Sequence, residues 1–99
     1  MAITSHPHRT PTHPGEFLAD FLDDLHLSQI GFARVLGGGW TQSKINQIIK
    51  AKRGITPATA LVFADAFGNS PEFWMNAQRN WDLWHALQHH VPVNRLMAA

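Results

Sequence analysis

The stretch from Ser28 to Gly54 constrains what this chain can fold into more than any other. Ser28-Gln29-Ile30-Gly31-Phe32-Ala33-Arg34-Val35-Leu36 has the make-up of a short helix, and Gly37-Gly38-Gly39 breaks it. A second short helix is expected from about Thr41 to Lys50, running out into Ala51-Lys52-Arg53-Gly54. It bears amides and lysines and no acid. Two short helices about a tight turn, the second polar and basic, form the arrangement with which a helix-turn-helix reads DNA.

The rest of the composition narrows the setting. Ninety-nine residues supply one modest core. No apolar run is long enough to span a bilayer, and the start lacks the charged-then-apolar order of a secretory signal, so no membrane partner is expected. The absence of cysteine rules out disulfides and thiolate metal sites, and it fits a reducing cytoplasm. A net charge of +1 says little about polyanions, but its distribution does. From Trp40 to Gly54 lie Lys44, Lys50, Lys52 and Arg53 without an acid, whereas Glu16, Asp20, Asp23 and Asp24 lie together without a base. A segregated basic segment is the footprint of phosphate contact.

Along the chain, the prolines and histidines of residues 1–13 predict an exposed, mobile tail, including His6, His8 and His13. A first helix follows Pro14, with Phe17, Leu18, Phe21, Leu22 and Leu25 as its apolar stripe. The Ser28-capped helix is expected to bury Ile30, Ala33 and Leu36, with Phe32 as a further candidate. The Thr41-capped helix is expected to bury Ile45, Ile48 and Ile49. Thr56-Pro57 opens a fourth helix with Ala60, Leu61, Phe63, Ala64 and Phe67 on a broad apolar face, stopped by Gly68-Asn69. Ser70-Pro71-Glu72 opens a fifth, reaching roughly His89, with residues 91–99 left as a tail. Nothing alternates with period two. The expectation is an all-α chain of five helices, its folded part spanning residues 14–90.

On the third helix, at about 100° per residue, the isoleucines share one side while Ser43, Gln47 and Lys50 fall opposite, flanked by Lys44 and Asn46. Amides can bond two adjacent atoms of an adenine edge, and lysine can donate to guanine. Gln42, Ser43, Lys44, Asn46 and Gln47 are therefore the candidate base contacts, since the N-terminal part of such a helix reaches deepest into the major groove. Lys50, Lys52 and Arg53 lie later and suit phosphates, which fix register without reading sequence. A polar outer face alone is what any solvated helix has; the preceding helix, the turn and the absence of acids tip the balance. The triglycine turn is longer than usual for this motif, and Trp40 beside it is expected to pack over it.

Trp74, Trp81 and Trp84 share one side of the fifth helix with Ala77. Part of that stripe belongs to the core, and the excess apolar area predicts a dimer or partner interface. His85 and His89, four apart, could face one ion, yet the zinc-protease pattern needs a glutamate where Ala86 stands. No metal, cofactor or catalytic constellation is expected.

Beyond periodicity, three blocks carry a resemblance. They are Ile55-Thr56-Pro57-Ala58-Thr59-Ala60, then Phe67-Gly68-Asn69-Ser70-Pro71-Glu72-Phe73-Trp74-Met75-Asn76-Ala77-Gln78, then Trp81-Asp82-Leu83-Trp84. Together with His13-Pro14-Gly15-Glu16 and Leu22, the chain from about 13 to 87 resembles the HigA family of antitoxins, within the Xre-like, lambda-repressor-like helix-turn-helix group. The resemblance implies a homodimer that binds operator DNA and represses its own operon. It also implies neutralisation of a cognate toxin protein, a ribosome-dependent messenger-RNA endonuclease. The family's DNA contacts map onto Gln42 to Lys50 and the exit at Lys52 and Arg53. Ala51 departs from the family's usual glycine before that basic pair. The alternatives are a stand-alone regulator of the same fold and an interaction module that has lost DNA binding.

Overall fold

Every helix begins where a side chain can take up a backbone N–H that the first turn leaves unpaired. In the computed structural model, which describes residues 10–98, the helices are α1 (Pro14–Asp24), α2 (Gln29–Leu36), α3 (Gln42–Ile49), α4 (Pro57–Phe67) and α5 (Pro71–Leu87). No strand occurs among the described residues. Ser28 caps α2 by accepting from Gly31 at 2.9 Å, and Thr41, Thr56 and Ser70 cap the next three from Lys44, Thr59 and Phe73, each at 3.2 Å. Proline stands at the start of α1, α4 and α5, where its missing N–H costs nothing.

α1 starts on a residue that the sequence places in a tail. The Nδ1 atom of His13 accepts from the Gly15 backbone at 2.9 Å, and the Glu16 carboxylate accepts from the His13 backbone at 3.2 Å, which closes a capping box. His13 is only 3 % exposed, with its ring edge-on to Trp81 at 4.9 Å. The exposed tail thus stops short of residue 13. The expected mobility of residues 1–9, with His6 and His8, falls outside the described residues.

The core gathers one or two side chains from each helix: Leu18 and Leu22, Phe32 and Ala33, Ile45 and Ile48, Ala60 and Phe63, and Trp74, with Ile55 from the α3–α4 loop. Trp74 lies 5.1 Å from Phe63 and from Phe73, 5.7 Å from Phe21 and 5.8 Å from Phe67, and its indole N–H donates to Asn69 Oδ1 at 3.0 Å. α4 packs on α5, and α3 packs on both α1 and α2. At the α1–α3 crossing the two backbones touch: a Cβ on Gly15 would overlap the Ile48 carbonyl.

Three expected core positions face water instead. Ile30 and Leu61 are more than half exposed, because Phe32 and Phe63 turn inward and a residue two positions away lies about 160° round the helix. The aromatic pair wins, since Phe32 meets Phe63 at 5.8 Å and stacks on Phe67 at 5.2 Å. Leu25 lies beyond the last residue of α1, so the stripe ends before it. Similarly, α5 ends at Leu87, two residues earlier than expected.

The cap on α1 makes stability sensitive to acid. Burial holds the His13 imidazole below its ordinary value of 6.5, against the upward pull of Glu16 and Asp82. A lowered histidine favours the neutral folded form, so its contribution is whole above the unfolded value. It is lost as pH falls from 6.5 towards the lower folded value, because the unfolded chain takes the proton first. In urea unfolding from pH 7.5 to 5, His13→Asn, which keeps a capping oxygen, is expected to show a smaller drop in midpoint than the parent. Equal drops would assign the dependence to other groups.

Candidate nucleic-acid interface

α3 is divided lengthwise. Ile45 and Ile48 are fully buried and Ile49 partly so, while Gln42, Ser43 and Lys50 are exposed and Lys44, Asn46 and Gln47 half-exposed. The polar face is therefore set by the isoleucines that pin the other face to the core.

Both ends of that face are braced. At the N-terminal end, Gln42 Nε2 donates to Gln29 Oε1 at 2.8 Å, joining the first residue of α3 to the first of α2. At the C-terminal end, the backbone N–H groups of Lys52 and Arg53 both donate to the Gln47 carbonyl, at 2.8 and 3.1 Å, curling the basic exit back over α3. The Arg53 Nε also donates to Gln47 Oε1 at 3.0 Å. Lys44 is placed differently from its sequence role: its ammonium donates to the Gly39 carbonyl at 3.1 Å and sits 6.0 Å above the Trp40 ring. It holds the turn, while Ser43 and Asn46 make no such contact on their flanks.

The long turn is closed from within. Gly37, Gly38 and Gly39 all take positive φ, of 64°, 54° and 88°, which side-chain-bearing residues rarely adopt. The Trp40 N–H donates to the Gly37 carbonyl at 2.9 Å, and its indole packs 5.5 Å from Phe63. Trp40 anchors the turn to the core, as expected.

Beyond the basic exit, Gln78 holds the chain in place. It is largely buried, accepts from the Ile55 N–H at 2.7 Å and donates to Asp82 at 2.9 Å. Sequence reasoning missed Gln29 as a bracing residue, although it follows the Ser28 cap as Gln42 follows the Thr41 cap. Nor does the sequence around Gln78 announce its task, because its partner Ile55 lies 23 residues earlier.

The tryptophan stripe splits by depth. Trp74 is 0 % exposed and belongs to the core, so it is no interface residue. Trp81 lies between His13 and the His85 ring, which meets it at a tilt with centroids 4.2 Å apart. Trp84 is half-buried, next to Leu83 and Leu87, which are exposed. His85 Nδ1 lies 2.9 Å from the Trp81 carbonyl, so a hydrogen bond occupies one of its two ligating atoms.

No family model matches the chain. Antitoxin HigA-1 of Vibrio cholerae is 32% identical over 77 residues, covering 77% of this chain and 70% of that protein. An addiction module antidote protein of a HigA family from Coxiella burnetii is 38% identical with a TM-score of 0.75, over 82% of this chain and 87% of that one. The chain belongs to the HigA family. A third likeness is Pseudomonas aeruginosa antitoxin HigA, solved with the higBA promoter. It is 31% identical with a TM-score of 0.76, over 88% of this chain and 99% of that one.

Against the HigA pattern, the alanine at position 51 now has a measurable cost. Ala51 sits at φ 60° just after α3, in the left-handed region where a Cβ crowds the following carbonyl. Glycine there removes that crowding. Ala51→Gly is expected to stabilise this HigA-type fold by about 1 kcal/mol, read from the urea midpoint at unchanged slope. No gain would mean that the surrounding contacts already relieve the strain.

Proposed function

We propose that this HigA-type chain is a homodimeric antitoxin of the cytoplasm. It binds operator DNA through α3, represses its own operon and neutralises a cognate toxin that cleaves messenger RNA. One observation carries the DNA reading: the amide-bearing face of α3 is backed by buried isoleucines and held at both ends by side-chain hydrogen bonds. Gln42, Ser43, Asn46 and Gln47 present groove-reading chemistry, and Lys44 joins them once it leaves the turn. Lys50, Lys52 and Arg53 supply the phosphate grip at the C-terminal exit. The Pseudomonas HigA solved with its promoter supports the same use of the shared fold.

For dimerisation, one exposed apolar surface lies on the last turns of α5, where Leu83 and Leu87 flank half-buried Trp81 and Trp84. Two recognition helices on successive major-groove turns require such a two-fold partner. No helix of the described residues is long and apolar enough to cross a membrane.

Two substitutions separate reading from gripping. Gln47→Ala is expected to weaken operator binding by about 1–3 kcal/mol and leave a scrambled duplex unaffected. Lys52→Ala is expected to weaken both duplexes alike and reduce the log–log salt slope by about 1. Fluorescence anisotropy across a salt series measures both. Equal losses on the two duplexes for Gln47→Ala would remove it as a reader. The toxin arm is tested by purifying the tagged chain from its native locus and identifying what accompanies it. A stoichiometric neighbour that stops growth when expressed alone supports the antitoxin. Intact operator binding with no toxic neighbour leaves a stand-alone regulator.

A further inference from the structure

The segment after α5 leaves its apolar side chains uncovered by the described residues. Val91, Val93, Leu96 and Met97 are between 79 and 98 % exposed. The opposite end of α5 adjoins an apolar groove of about 320 Å³ between the C-terminal ends of α1 and α4, lined by Phe21, Leu25, Ala66 and Phe67 with Asp24 and Asn69 at its edge. We propose that the C-terminal segment of a second copy of this chain lies in that groove, with Arg95 against Asp24. This rests on the homodimer reading above and adds a reciprocal exchange of tails to it.

Charge and reach select the occupant. Arg95 is the only lysine or arginine after Arg79, and it stands between Val93 and Leu96-Met97. The groove edge carries Asp24, with Asp20 and Asp23 exposed on the same helix and no base between Glu16 and Asp24. A basic residue set among apolar ones matches an apolar groove with an acidic edge. From Leu87 to Arg95 a fully extended chain spans at most about 26–29 Å. Running back along α5 from Leu87 to Asn69 takes about 27 Å at 1.5 Å per residue, and the chain must first reverse direction through a turn of about four residues that gains almost no length, so a chain's own tail falls short. In a two-fold pair with α5 helices antiparallel, Leu87 of one copy meets Leu83 of the other. The partner's tail then starts about 21 Å from the groove and runs the right way. The same pairing covers Leu83 and Leu87, which are 40 and 57 % exposed.

The chain has no cysteine, so engineered thiols report the contact without background. Leu25→Cys and Leu96→Cys chains carrying different tags are mixed and oxidised, with Leu61→Cys in place of Leu25→Cys as the control. Size-exclusion chromatography with light scattering on the unmodified chain reports the dimer separately. The expected results are a dimer and a disulfide-linked 25–96 heterodimer, with no 61–96 product above background. Truncation after His90 should weaken the dimer at least tenfold. Asp24→Arg should weaken it about fivefold, a loss recovered by adding Arg95→Asp. A monomer at all concentrations overturns both the homodimer and the exchange. A dimer without the 25–96 product, with the truncated chain dimerising equally well, keeps the homodimer and overturns the exchange. An intrachain disulfide in the doubly substituted monomer shows the tail on its own chain. If a maleimide labels Leu25→Cys freely until purified toxin is added, the groove belongs to the toxin. Either of these results also overturns the proposal.

Discussion

The indole of Trp74 fixes the spacing of α1, α4 and α5, and the DNA-reading part of the molecule is mounted on that assembly. Its ring meets phenylalanines from each of those helices at 5.1 to 5.8 Å, and Asn69 satisfies its one polar atom. Aromatic pairs at such distances add specific edge and face preferences to area burial, so the helices are held in angle as well as in distance. From this centre the contacts run outward. Phe63 carries them to Phe32 on α2 and to Trp40 at the turn, so both halves of the helix-turn-helix refer back to one ring cluster. The crossing of α1 and α3 adds the second constraint. There Gly15 lets the backbones touch at Ile48, which sets how far α3 stands from the body.

How much of this was legible follows from the range of each interaction. The caps at Ser28, Thr41, Thr56 and Ser70 act within three residues, and the sequence displays them whole. The isoleucine stripe of α3 was equally plain, because its polar and apolar sides are distinct. α2 and α4 each offer two apolar sides, Ile30 or Phe32 and Leu61 or Phe63, and periodicity cannot choose between them. Partners some thirty residues away chose, through the tilted contact of Phe32 with Phe63 and its stacking on Phe67. His13 escaped notice because its ring partner, Trp81, is at the other end of the sequence. The tryptophan stripe was correct in direction but blind to depth. Trp74 faces four other rings, whereas Trp84 lies near the end of α5 beside the His85 ring.

The site shows the same division. The residue types on α3 point to DNA chemistry, and the structure adds how those side chains are stationed. Gln42 is shared with Gln29, Lys44 is drawn to the turn, and Gln47 is held by Arg53. These bonds are solvent-exposed, so each contributes little to folding. In the proposed complex, Gln42 and Gln47 would lose less freedom on contact because they are already ordered, whereas Lys44 would first have to leave the turn. Gln78 extends this order past the exit: by fixing Ile55 it ends the basic loop at a defined place.

The bond from Arg53 to Gln47 links the two tasks proposed for these side chains. It uses only the Nε hydrogen, and a guanidinium carries four more N–H donors. Under the proposed phosphate grip, Arg53 could hold a backbone oxygen through those donors and keep Gln47 on the fifth. One side chain would then serve as a ruler between the sugar–phosphate rail, which is alike in every duplex, and the amide that inspects the bases.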